Sequence, residues 1–437
     1  MNKKILSVIL IFMIFGITAT AVYFLYPYNP LNPPLADDTG STPEGIKEVV
    51  NANNQFAFDL YDKYKDNEEN KDKNIFFSPY SISTALAMTY EGAKGETADE
   101  IKNVFHFPDD DILRPNSAAV YNQINKKDKN YELRTGNALW IQQDFNLLED
   151  YKNRVENYYG GKAVNLDFVT ETEKSRQTIN NFIEEQTNDK IKDLIPEGVI
   201  TPATRLVLTN AIYFKGNWEW EFDKSDTREK DFFVTKNNPI KTDMMYMDPD
   251  KAKFNYAELD KLQILEMPYK DDEISMLVIL PKQGESYDYD TNEVINYGYT
   301  LDDIDFSLEN LNYWKSQMKE TKLDSIYFPK FEFETKYIMN DDLKEMGMPS
   351  AFSSNADFSG MTLEEQLYIS SVIHQAYVKV DEKGTEAAAA TAVVMEMSIA
   401  KQINVFNADH PFIFIIQEKS SGNILFMGRM NNPSSSE

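Results

Sequence analysis

Between Asp381 and Phe406 the chain reads DEKGTEAAAATAVVMEMSIAKQINVF, a stretch that changes its structural preference part-way along. Glu386 and the alanines after it are strong helix formers, whereas Gly384 stands before them and Ala392-Val393-Val394 after. Laid out as a strand, it places Thr385, Ala387, Ala389, Thr391, Val393 and Met395 on one face. The other face takes Glu386, Ala388, Ala390, Ala392, Val394 and Glu396, with Glu382 on the same side upstream. Every glutamate then lies on one face, and the opposite face carries no charge. That is the pattern of a strand with one buried side, built from residues small enough to enter a space already lined by neighbours. A buried helix over EAAAATAVVMEM is the alternative; the upstream glycine and the β-branched residues downstream weigh against it.

The rest of the chain limits what such a strand can serve. With 437 residues, 42% of them hydrophobic, there is material for one large domain or two ordinary ones. Acidic residues outnumber basic ones 71 to 44, a net charge of -27, which disfavours nucleic acid and equally disfavours heparin, since both need a concentrated basic face. There is no cysteine, hence no disulfide, thiol nucleophile or thiolate metal site. The histidines, His106, His374 and His410, are scattered singly, so neither a metal nor a cofactor is expected. No GxGxxG, GxxxxGK[ST] or GxSxG motif occurs, and no histidine has the context of a hydrolase base. The reading is therefore not an enzyme.

The N-terminus has its own message. After Lys3-Lys4, an uncharged run of 22 residues from Ile5 to Tyr26 is long enough to cross a membrane. Ala19-Thr20-Ala21 offers a cleavage pattern, while the apolar character continues through Val22, Phe24 and Leu25. Residues 1–26 are thus a signal peptide or a membrane anchor, and either places the body outside the cytoplasm, secreted or held at the outer face. Residues 27–45, rich in Pro and Asn, read as a linker, and 46–437 as the folded domain.

Within that domain, Val50, Phe56, Leu60 and Tyr64 form a helical stripe, and Ser78-Pro79 opens a second helix. In GETADEIKNVF, Thr97 with Glu100 three residues on reads as a helix cap. NALWIQQ, LVLTNAIYFKG, SMLVILPK, SIYFPKFEFE and HPFIFIIQEKSSGNILFMGRM read as aromatic and β-branched strands. Helices and strands are interspersed without regular alternation, which gives the α+β class with antiparallel sheets. Gly284 to Phe306 is too polar for core and reads as a surface insertion.

The blocks NIFFSPYSISTALAMTYEGAKGETADEI, LTNAIYFKGNWEWEFD, FPKFEFE, VIHQAYVKVDEKGTEAAAATA and HPFIFII with ILFMGRMNNP resemble the signature blocks of the inhibitory serpins, in that family's order, from about Ile46 to Pro433. The resemblance implies three β-sheets with eight or nine helices and an exposed reactive-centre loop. It implies a monomer acting as a suicide substrate of serine proteases: the protease forms a covalent acyl-enzyme with the loop, and the cut loop inserts into the main sheet. A serpin-fold binding or chaperone protein that never traps a protease is the alternative. Glu382, Gly384, Thr385, Glu386, Ala387, Ala388, Ala389, Ala390 and Thr391 match the inhibitory hinge. Ser78, Ser81, Asn210 and His374 match a polar cluster beneath the main sheet, and Trp218 the tryptophan where the loop first enters. The family pattern puts the cut at Ser398-Ile399, or at Met397-Ser398 on a shorter count. Neither offers Lys or Arg, so chymotrypsin-, elastase- or subtilisin-like proteases are favoured over trypsin-like ones. Thr385→Arg, which places a charge on the inward face, is expected to turn an inhibitor into a substrate. Continued trapping of protease by that variant rejects strand insertion.

Overall fold

Local rules start the helices. Thr42 accepts a hydrogen bond from the Gly45 amide and Pro43 takes the first position of Pro43–Lys65; Ser78 and Pro79 repeat the device at Pro79–Tyr90. The stripe of Val50, Phe56, Leu60 and Tyr64 faces inward along the first of these helices. The computed structural model describes residues 35–126, 129–248, 252–288, 293–363, 367–385 and 404–435, with side chains at 285–297 excepted. Among the described residues there are 8 α-helices, three sheets and a separate two-stranded hairpin. The apolar leader and residues 386–403 lie outside them. No helix among the described residues is long and apolar enough to cross a membrane.

The main sheet runs Phe331–Ile338, Ile369–Asp381, Gly384–Thr385, Leu206–Asn217, Ala138–Gln142 and Lys162–Leu166, with Tyr131–Thr135 also paired to Leu206–Asn217. Its central strands are buried on both faces, so they read as continuous apolar runs. Leu206, Leu208 and Val372 join the core beneath helix Pro79–Tyr90. Their neighbours Val207, Ala211 and Ile373 pack with Trp140, Phe182 and Ile183, residues of strand Ala138–Gln142 and helix Thr172–Gln186. A second, seven-stranded sheet contains Ile75–Phe77, Ile424–Met430, Phe412–Glu418, Ile274–Pro281, Leu262–Pro268, Phe254–Glu258 and Lys319–Thr321. The third is Val405–Asn407, Ser325–Pro329, Asn238–Met247 and Arg228–Thr235. Val405–Asn407 returns the chain to the body just after residues 386–403, pairing parallel to Ser325–Pro329.

Two sequence expectations need correcting. Thr97 does not cap a helix: Gly95–Val104 starts at Lys94 without a side-chain cap. Thr97 Oγ1 instead accepts from the Asp357 amide at 3.0 Å, and the Glu100 carboxylate accepts from Ser350 N and Oγ, both at 2.8 Å. The two residues tie the helix to distant chain. The segment from Gly284 to Phe306 is also not wholly an insertion on the surface. Its first part forms the antiparallel hairpin Gln283–Asp288 with Glu293–Gly298, but Ile304 and Phe306 are buried. The Phe306 ring meets Phe58 at 4.7 Å and Tyr61 at 5.2 Å between centroids. Polar residues on either side hid these apolar ones from a composition argument. Phe306→Ala is expected to cost about 3–5 kcal/mol in denaturant unfolding, while the exposed neighbour Asp305→Ala stays within about 0.5 kcal/mol.

Candidate functional site: a seam in the main sheet

The two central strands of the main sheet are parallel neighbours from Ile369 opposite Leu206 to Ala376 opposite Ile212. There direct pairing stops. The chain turns at Glu382-Lys383, and Gly384–Thr385 comes back between the same two strands. Thr385 lies opposite both Val380 and Gly216, and Gly384 opposite both Asp381 and Asn217. Directly paired strands stand about 4.8 Å apart, and roughly twice that where another strand lies between. The sheet is therefore closed at one end of this seam and wedged open at the other.

Close approach explains the glycine. Gly384 has φ +150°, and a Cβ there would lie 2.1 Å from the Gly216 carbonyl oxygen. The turn is then fastened from several sides. Trp218 donates its amide to the Lys383 carbonyl at 2.7 Å and its indole N–H to the Asp381 carbonyl at 3.1 Å. Phe222 donates its amide to the Glu382 carbonyl at 2.8 Å. The Glu382 carboxylate, 6% exposed, accepts from Thr227 Oγ1 at 2.8 Å and from Lys330 Nζ at 3.1 Å. Burial alone would raise its pKa; its own amide, Thr227 and Lys330 together outweigh that and hold it below the usual carboxylate range. A cleft of about 1160 Å³ opens beside the turn, lined in part by Lys330, Glu332, Lys379 and Glu382.

At the closed end lies the polar cluster. Its members meet because Ser78 caps helix Pro79–Tyr90 directly under the ladder position where His374 stands opposite Asn210. The Ser78 amide donates to His374 Nε2 at 3.1 Å, so Nε2 carries no proton and Nδ1 does. Nδ1–H donates to Asn210 Oδ1, directly across the seam. Asn210 Nδ2 donates in turn to Ser81 Oγ at 2.8 Å and Asn137 Oδ1 at 2.9 Å, and Ser81 Oγ donates to Asn137 Oδ1 at 2.7 Å. Complete burial pushes the His374 imidazole down to about 3, outweighing its bond to Asn210. It is a neutral structural group.

The structure thus brings Ser78, Ser81, Asn210 and His374 together and puts Trp218 at the opposite end of the seam, roughly 26 Å along the strand from Asn210. Glu382, Gly384 and Thr385 form the wedge. Glu386, Ala387, Ala388, Ala389, Ala390, Thr391, Met397, Ser398 and Ile399 lie outside the described residues. Four contributors were not singled out from sequence: Asn137, Thr227, Lys330, and Tyr269, whose hydroxyl shares a hydrogen bond with Thr385 Oγ1 at 2.7 Å and whose ring is stacked on Trp218 at 4.5 Å between centroids. Asn137 follows a strand in TGNALW and Lys330 sits within FPKFEFE, so only three-dimensional proximity marks them. Among the described residues no group of three or more His, Cys, Asp or Glu side chains is placed to hold a metal ion.

His374 predicts a pH dependence. Unfolded, its pKa is near 6.5; folded, it is about 3, so between those values the unfolded chain binds a proton that the native one does not. Its contribution is present above about 6.5 and is lost as pH falls, by up to about 1.4 kcal/mol per unit. His374→Gln should flatten the stability profile from pH 6.5 to about 5, measured by denaturant unfolding, a range above most carboxylate titration.

Comparison with known proteins agrees with this geometry. The chain matches the family model described as Serpin (serine protease inhibitor) over residues 51–433. It is 42% identical over 391 residues to an uncharacterized serpin-like protein of Methanosarcina acetivorans, covering 88% of each chain. It is 38% identical over 390 residues to the leukocyte elastase inhibitor of Xenopus laevis, covering 89% of this chain and all 100% of that one. A solved structure of thyroxine-binding globulin in complex with thyroxine superposes with a TM-score of 0.76 at 30% identity, covering 88% of this chain and 99% of that one. A wedge between parallel central strands, a polar cluster under the seam and a family match across almost the whole folded body lead to one conclusion: the chain belongs to the serpin family.

Proposed function

We propose that the protein is a suicide-substrate inhibitor of serine proteases, acting outside the cytoplasm as a monomer. The observation that carries this reading is the seating of Gly384–Thr385 between two strands that are directly paired only over part of their length. A strand has been started there, and the residues that would extend it, Glu386 to Thr391, keep their inward side small and uncharged. A binding protein that never inserts its loop has no need of that pattern. The similarity to a protein named an elastase inhibitor supports the same reading.

In this mechanism the protease serine attacks the carbonyl carbon of Ser398, or of Met397 in the shorter register. An ester forms, and the amine of Ile399, or of Ser398, departs. Insertion then has to outrun hydrolysis of the ester. Backbone bonding contributes about 0.5–1.5 kcal/mol per hydrogen bond, and ordering the loop costs about 1–2 kcal/mol per residue. These terms nearly offset each other, so the drive comes from closing the wedged sheet around a new strand. Export rests on the run Ile5–Tyr26 behind Lys3 and Lys4.

Mixing the protein with chymotrypsin, elastase and subtilisin should give an SDS-resistant band at the combined mass with at least one of them. Clean cutting of the loop by all three, with no adduct, sinks the inhibitor reading in favour of a serpin-fold binding protein.

A further inference from the structure

Helix Pro43–Lys65 presents two adjacent asparagines to the turn that leads into strand Ile424–Met430. Asn54 holds that turn at two points: its Oδ1 accepts from the Ile424 amide at 2.9 Å and its Nδ2 donates to the Gly422 carbonyl at 2.9 Å. Asn53 Nδ2 donates to the Ile424 carbonyl at 3.0 Å and to Asn423 Oδ1 at 2.8 Å. A carbonyl oxygen only accepts, so these contacts fix which end of each amide is which. Asn53 Oδ1 and Asn423 Nδ2 are the ends left over. Neither has a hydrogen-bond partner among the described residues, although Asn53 is only 6% and Asn423 only 1% exposed.

A third group is in the same condition. Ser83, on helix Pro79–Tyr90, is 8% exposed, and its hydroxyl also has no partner among the described residues. A hydroxyl within a helix can bond to the carbonyl four residues back, as Thr84 does with Tyr80 at 2.7 Å and Thr89 with Ala85 at 3.0 Å. Ser83 does not turn back in this way. Together with Asn53 and Asn423 it lines one cavity of about 40 Å³, whose wall is otherwise mainly apolar and includes Val50, Leu113 and Val120.

Three such groups around one space define the chemistry of its occupant. Buried donors and acceptors left unpaired are costly, and a cavity lined by polar groups is wet where an apolar one stays dry. None of the lining residues carries a charge, so nothing there offsets the burial of an ion. The occupant must donate to Asn53 Oδ1 and accept from Asn423 Nδ2, which requires a neutral molecule with both capacities. Size completes the identification: one water needs about 10–15 Å³ of such space, whereas a cavity that binds benzene measures about 150 Å³. We infer that this cavity is a site for ordered water, in which one molecule donates to Asn53 Oδ1, accepts from Asn423 Nδ2 and meets Ser83 Oγ with a remaining hydrogen or lone pair. Three partners are the usual number for a buried water. The water ties helix Pro43–Lys65 and helix Pro79–Tyr90 to the chain entering strand Ile424–Met430, whether or not the protein traps a protease.

The test uses the full chain. A high-resolution crystal structure should show water density within hydrogen-bond distance of Asn53 Oδ1, Asn423 Nδ2 and Ser83 Oγ. Crystals held under xenon should leave this cavity free of the gas, which enters dry apolar cavities. In solution, magnetic relaxation dispersion of the water signal counts waters held far longer than those at the surface. Ser83→Val removes the hydroxyl and puts apolar atoms into the space, so the count should fall by at least one long-lived water relative to wild type. Xenon bound in the wild-type cavity, or density there with no water in reach of the two amides, overturns the inference. An unchanged count of long-lived waters in folded Ser83→Val overturns it as well. Should that variant fail to fold, the wild-type density and the xenon result decide by themselves.

Discussion

Beside the backbone ladder that runs from Ile369 opposite Leu206 to Ala376 opposite Ile212, a side-chain hydrogen bond from His374 Nδ1–H to Asn210 Oδ1 ties the two central strands of the main sheet across the seam. It is neutral, buried and backed by Ser78, Ser81 and Asn137, so the closed end is specified by direction and by partner count. Polar groups in that setting are stable only while all are satisfied. Parting the closed end leaves His374 Nδ1–H and Asn210 Oδ1 buried without partners, so this end resists partial opening.

The open end is built on different physics. There the turn Glu382-Lys383 is held by charge-assisted bonds and by aromatic stacking, with Glu382 bonded to Lys330 and Thr227, and Trp218 lying on Tyr269. These contacts keep the wedge in position without closing the ladder beyond it. The cleft beside them leaves Lys330, Glu332 and Lys379 in a partly solvated setting, where ion pairs are weaker than at the buried cluster. One end of the seam is thus tight and uncharged, the other braced and charged.

Much of this was legible from residue order. The alternation after Gly384 leaves one face free of charge when the stretch is laid out as a strand, and five ordered blocks carried the family resemblance. The sequence reading also chose Ser78, Ser81, Asn210 and His374, though only through that resemblance. It misread Thr97 and Glu100 because a local capping pattern and a pair of long-range tethers look alike until Ser350 and Asp357 are found beside them. It misjudged Ile304 and Phe306 because average polarity over a segment hides two apolar residues that fold back onto Phe58 and Tyr61.

What the sequence determined by itself is period and composition: which faces are apolar, where helices begin, and that residues 385–395 have a side free of charge. These are short-range properties, set by backbone geometry over a few neighbouring residues. Only the tertiary structure decided that Leu206–Asn217 and Ile369–Asp381 are parallel neighbours, that their pairing stops at Ala376, and that Thr385 already occupies the space beyond. Strand partners lie far apart along the chain, and nothing local to either records the other. Their register is chosen by how the whole core packs.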